Sequence, residues 1–105
     1  MTAKDQQILK ELKRRMSEVV EVLDLRLYGS RGRGDADEDS DMDVFVVVPE
    51  LDKDLKHRLQ EISWDLGIDS GILISMIVVT RDEVENTALR SSQLVLNVRE
   101  EGIKI

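Results

Sequence analysis

Apolar positions recur at steps of three and four along the first stretch of the chain. Ile8, Leu9, Leu12, Met16, Val19, Val20 and Leu23 make one stripe, and Lys10, Lys13, Arg14 and Glu18 fall on the other side. Spacing near 3.6 residues marks a half-buried helix, so the pattern predicts an amphipathic helix over residues 4–24. The period then changes. Leu25-Arg26-Leu27-Tyr28 alternates as a short strand does and stops at Gly29. A polar stretch over residues 29–41 follows, long enough to open a short helix or turn. Asp43-Val44-Phe45-Val46-Val47-Val48 is then an almost unbroken β-branched run, the composition of a buried strand, and Pro49 ends it.

A second helical stripe, Leu55, Leu59, Ile62 and Leu66, begins near Asp52, and Gly67 predicts its stop. Ile72 to Thr80 reads as a long buried strand. Thr80-Arg81-Asp82-Glu83 fits a capping box and opens a helix to about Arg90, with Ser91-Ser92 as a break. Residues 93–101 make a last helix closed by Gly102, and Ile103-Lys104-Ile105 adds a short edge strand. Trp64 lies beside the second stripe and reads as a partly buried packing residue. Met16 and Met76 read as core, and His57 as a solvated helix residue. The expected architecture is α/β (α+β): a small mixed sheet of three to four strands flanked by helices, in one domain over residues 1–105.

Composition narrows the chemistry. The chain has no cysteine and a single histidine, so thiolate nucleophiles, disulfides, Cys-ligated zinc and multi-His metal sites fall away. Aromatics are only 3 %, so the core must be aliphatic. With 22 Asp and Glu against 15 Lys and Arg, the formal charge is −7, which disfavours the lysine and arginine grip that nucleic-acid backbones require. No apolar run approaches the roughly 20 residues of a membrane helix, and the charged N-terminus lacks a signal core, so a cytoplasmic location is expected.

The polar stretch carries the informative residues. Gly29-Ser30 ends a strand and is followed by Gly32 and Gly34. Glycine lets the backbone approach a ligand closely, and a serine hydroxyl with backbone N–H groups at such a turn suits phosphate oxygens. Asp41 and Asp43 stand two apart at the mouth of the apolar strand, where such residues share a face. Their carboxylates converge and repel unless a cation lies between them. Hard oxygen ligands of this kind suit Mg²⁺ or Mn²⁺ carried in with a nucleotide triphosphate. Taken singly, each half has a plain reading: Ser30 as a helix N-cap, the aspartates as strand ends. The acidic run from Asp35 is not an EF-hand, because starting at Asp35 or Asp37 the sixth position is Ser40 or Met42 and the twelfth is Val46 or Val48.

Gly29-Ser30, ten intervening residues and Asp41-x-Asp43 resemble the signature of the polymerase-β-type nucleotidyltransferase superfamily. The fuller string Gly29-Ser30-Arg31-Gly32-Arg33-Gly34 followed by Ser40-Asp41-Met42-Asp43 resembles its small prokaryotic members, the minimal nucleotidyltransferases. The leading helix, the central aliphatic strand and the tail Asn97-Val98-Arg99-Glu100-Glu101-Gly102-Ile103 extend the likeness over nearly the whole chain. The resemblance implies transfer of a nucleoside monophosphate, AMP from ATP, to an acceptor hydroxyl with release of pyrophosphate. It implies that Gly29 and Ser30 hold the triphosphate, with Arg33 or Arg31 neutralising phosphate charge. Asp41 and Asp43 become the catalytic carboxylates and the metal ligands for Mg²⁺ or Mn²⁺. It also implies a protein partner, since antitoxin-like members act beside a helical HEPN-family toxin and modify its tyrosine with AMP.

One position departs from the family pattern. The third carboxylate, usual on the next core strand, aligns with Ser75 in Ile74-Ser75-Met76-Ile77-Val78-Val79-Thr80. Asp69 and Asp82 only flank that strand. Serine is a poor base and a weak metal ligand, which leaves two readings open: an enzyme acting on a hydroxyl of a partner protein, or a non-catalytic nucleotide-binding or antitoxin docking module with a degraded site. An acidic metal-binding domain without nucleotide is a distant third. A homo-oligomer is compatible with each.

Overall fold

The β-branched run becomes the most enclosed strand of a four-stranded sheet. The computed structural model describes residues 1–34 and 40–105. In chain order the elements are α1 (Ala3–Ser17), β1 (Asp24–Tyr28), α2 (Gly29–Arg33), β2 (Met42–Val48), α3 (Lys53–Ser70), β3 (Ile74–Thr80), α4 (Arg81–Asn86), a 3₁₀ turn (Ala88–Ser91), α5 (Gln93–Glu101) and β4 (Ile103–Lys104). The sheet order is β3-β2-β1-β4. β1 runs antiparallel to β2 and to β4, and β2 runs parallel to β3, so the sheet is mixed as expected. The acidic run at residues 35–39 lies outside the described residues.

Strand alternation divides the core between two faces. On one face Leu25, Leu27, Met42, Val44, Val46, Val48, Ile74 and Met76 pack against Ile8, Leu9, Leu12 and Met16 of α1 and Leu59 and Leu66 of α3. Leu9, Leu12 and Met16 are fully enclosed, and each such burial contributes about 1.5–3 kcal/mol. On the other face Phe45 and Val79 pack against Val84 of α4 and Val95 and Val98 of α5. This second cover leaves Tyr28 at the end of β1 and Asp43 at the start of β2 only partly enclosed, and Ser75 at the start of β3 exposed.

Three boundaries differ from the sequence pattern. The first helix stops at Ser17 instead of running to residue 24. Val19, Val20 and Val22 are β-branched and poorly suited to a helix. The Leu23 N–H donates to the Val47 carbonyl at 2.9 Å, so the segment is drawn into the sheet. Of the stripe's last residues Val20 still packs on the core, as does Val22 outside the stripe, whereas Val19 is exposed. The second long helix passes through Gly67 and ends at Gly71. Gly67 serves close packing instead: a Cβ there would lie 2.7 Å from the Ile72 carbonyl oxygen of the returning chain. The helix after β3 ends at Asn86, with a 3₁₀ turn covering the remainder to Ser91. The capping box at its start is formed, with Thr80 and Glu83 bonding reciprocally.

Candidate functional site

The Gly29-Ser30 turn and the aspartates meet because β1 and β2 are antiparallel neighbours. Their register sets Tyr28 opposite Asp43. The parallel register of β2 and β3 sets Asp43 beside Ser75. Tyr28, Asp43 and Ser75 therefore form a row across three strands on one face of the sheet.

Gly29 follows directly and adopts φ of 71°. A Cβ at that position would stand 2.5 Å from Asp43 Oδ2. Only glycine gives both the left-handed backbone and the room for the carboxylate. Ser30 follows Gly29 as the second residue of α2. Asp41 is exposed at the mouth of β2. Of the predicted site residues, Gly29 packs on Asp43 and Asp41 acts electrostatically on it, while Arg33 stands at the far end of α2 with its guanidinium 3.7 Å from Glu101 of α5.

Electrostatics agree with the geometry. The Asp43 carboxyl is pushed above the ordinary carboxylate range, first by burial and then by the charge of Asp41. The Tyr28 phenol is also pushed up, by burial and then by the charge of Asp43. An acid raised in part by a neighbouring carboxylate is the situation that a divalent cation relieves, and carboxylate oxygens are the donors that Mg²⁺ or Mn²⁺ prefers. Asp41 and Asp43 therefore fit the expected metal. Among the described residues no group of three or more His, Cys, Asp or Glu side chains converges on one point.

Arg31 does not join this cluster as a phosphate ligand. Its guanidinium is buried beneath the turn, where Nη1 donates to Asp5 Oδ1 at 2.9 Å. Nε and Nη2 donate to the Ser40 carbonyl at 2.9 and 2.7 Å. Ser40 immediately precedes Asp41, so Arg31 ties the glycine turn to the backbone that delivers the acids. Asp5 in turn closes a capping box with Thr2 at the start of α1. Neither Asp5 nor Tyr28 carries a sequence signal. The Asp5–Arg31 pair spans 26 residues, and the Tyr28–Asp43 pairing exists only once the hairpin register is known. A larger concavity of about 620 Å³, bounded by Lys10, Lys13 and Lys104, includes none of the site residues.

A comparison with protein families matches the model described as nucleotidyltransferase domain over residues 6–104. The chain belongs to that family. The mixed sheet also has counterparts among solved structures of toxin–antitoxin complexes. A tyrosine-to-alanine mutant of the toxin–antitoxin MntA–HpeT has a chain 22 % identical, with a TM-score of 0.61, covering 96 % of this nucleotidyltransferase and 70 % of that chain. A toxin–antitoxin with AMP-PNP gives 21 % identity and a TM-score of 0.55 over 96 % of this chain and 68 % of the other. A double aspartate-to-glutamate mutant of MntA–HpeT gives 20 % and 0.58 over 98 % and 72 %. At this identity the likeness establishes a shared fold. No curated protein sequence matches the chain. Among the described residues no helix is long and apolar enough to cross a membrane.

Proposed function

We propose that this nucleotidyltransferase domain, acting as one unit over residues 1–105, transfers AMP from ATP to a hydroxyl of a partner protein in a toxin–antitoxin pair, the partner being a helical HEPN-like toxin. The observation that supports the reading is the packing of Gly29 against Asp43, a carboxyl raised by burial and by the charge of Asp41. In this reading Gly29 and Ser30 cradle the triphosphate, and Arg33 faces its outer charge. Asp41 and Asp43 hold Mg²⁺ or Mn²⁺, which when bound supplies charge stabilisation to the reacting phosphate. The acceptor hydroxyl gives up its proton to water as its oxygen attacks the α-phosphorus, the bond from that phosphorus to the bridging oxygen of the β-phosphate breaks, and pyrophosphate leaves. The similar structure with AMP-PNP, an ATP analogue, supports the nucleotide assignment, and the toxin–antitoxin neighbours support the protein partner.

Ser75 beside Asp43 favours a second reading, in which the domain binds nucleotide and neutralises its partner by docking alone. Incubation of the domain and its co-expressed partner with α-labelled ATP separates the two. Label on the partner that disappears in Asp41→Asn/Asp43→Asn supports transfer. Partner inhibition that survives that double substitution, with no label, supports docking.

A further inference from the structure

Trp64 is not the partly buried packing residue that its place beside the α3 stripe predicts. It is 61 % exposed, and Ile68, one turn later, is 62 % exposed. Leu73, just before β3, is 55 % exposed. These three residues wall a single groove of about 230 Å³, whose floor includes Ser63 and Gly67. Gly67 keeps that floor low, because the chain passes too close for a side chain there. Contiguous exposed apolar surface of this kind is uncommon on a surface facing only water.

The groove lies where α3 meets the start of β3, the edge strand of the sheet. The Met42 N–H donates to the Leu73 carbonyl at 2.9 Å. Leu73 is exposed, whereas Ile72 and Ile74 on either side of it are buried. Along α3, Glu61, Asp65 and Asp69 recur every fourth residue and line the side of the Trp64–Ile68 pair with negative charge.

We infer that this groove docks a cationic amphipathic segment of the partner protein, with an apolar anchor between Trp64, Ile68 and Leu73 and basic side chains along Glu61, Asp65 and Asp69. The apolar walls supply the anchor pocket, and the acidic row selects the sign of the flanks. That the docked segment belongs to the acceptor protein rests on the transferase reading above; the docking itself does not.

Trp64 is the only tryptophan, so its emission reports on the groove directly. The probe is a synthetic amphipathic helix with leucines on one face, lysines on its flanks and one tyrosine; its control has glutamates for the lysines. The lysine peptide is expected to shift Trp64 emission to the blue and the glutamate peptide to leave it unchanged. Ile68→Ser/Leu73→Ser is expected to weaken peptide binding by about tenfold. Asp65→Lys/Asp69→Lys is expected to reverse the preference between the two peptides. Equal binding of both peptides, or undiminished binding by Ile68→Ser/Leu73→Ser, overturns the docking site. A concentration-dependent dimer that Ile68→Ser/Leu73→Ser dissociates gives the groove to a second copy of this chain and also overturns it. The same proteins are tested for stabilisation by Mg-ATP. Peptide docking without nucleotide stabilisation defeats the transferase reading alone, and nucleotide stabilisation without docking defeats the groove alone.

Discussion

Arg31 lies beneath the glycine turn with its guanidinium 2.9 Å from the Asp5 carboxylate, and both side chains are almost wholly enclosed. One residue belongs to the turn that faces the acids and the other to the first turn of α1. The pair therefore couples the leading helix to the site, and the two bonds from Arg31 to the Ser40 carbonyl extend the coupling to Asp41. Removing one member strands a buried charge, which typically costs about 3–5 kcal/mol. Asp5→Ala and Arg31→Met should each destabilise the domain by that order in urea denaturation. A double-mutant cycle isolates the pair from the capping role of Asp5.

Gly29 makes a sharper case. Alanine there meets both a left-handed backbone and the Asp43 carboxylate. The backbone strain alone is about 1–3 kcal/mol. Gly29→Ala should lower stability and abolish the stabilisation by Mg-ATP, whereas Gly34→Ala, with φ of 81° but open space around its Cβ, should lower stability while retaining the nucleotide response. Thermal melts with and without Mg-ATP check both.

The raised Asp43 carboxyl predicts a pH dependence. Because its folded value lies above the ordinary 3.8, the neutral acid is the form that the fold favours. That contribution is complete below the unfolded value and is lost as pH rises through the folded one. Without metal, Asp43→Asn should therefore melt above the wild type at pH 7, and the advantage should shrink as pH falls toward 3.8 and below. A constant difference across this window contradicts the assignment.

Much of this arrangement was legible in the residues and part was not. The aliphatic strand at Asp43–Val48, the capping box at Thr80 and the final strand follow from local patterning, because each depends on neighbours in sequence. The end of α1 was not legible. Val20 and Leu23 supply apolar positions in helical phase, yet Val20 packs on the core from beyond the helix and Leu23 bonds to β2. The Gly-Ser and Asp-x-Asp motifs marked residues that the fold draws together at Gly29 and Asp43, and the register of β2 and β3 sets Ser75 beside Asp43. Asp5, Tyr28 and the exposed Trp64 required coordinates, since long-range pairing and surface exposure leave no periodic trace.

Ser75 offers a gain-of-function test. An aspartate there would stand beside Asp43 in the β2–β3 register. Ser75→Asp should lower the melting temperature without divalent cation, because a third like charge joins two converging acids. It should also enlarge the stabilisation produced by Mg²⁺ or Mn²⁺ alone. A substitution that is neutral in both measurements places the Ser75 side chain outside the acid cluster.

The most direct measurement is the melting temperature in the presence of Mg-AMP-PNP, compared between the wild type and Asp41→Asn/Asp43→Asn. A ligand bound only to the folded state adds about 2.7 kcal/mol at a hundredfold excess over its dissociation constant. The wild type should melt at a clearly higher temperature with Mg-nucleotide, and the double variant, folded and no less stable on its own, should not respond. No rise in the wild type at millimolar nucleotide, or an equal rise in both proteins, contradicts a polyphosphate site built from the Gly29 turn and the two aspartates.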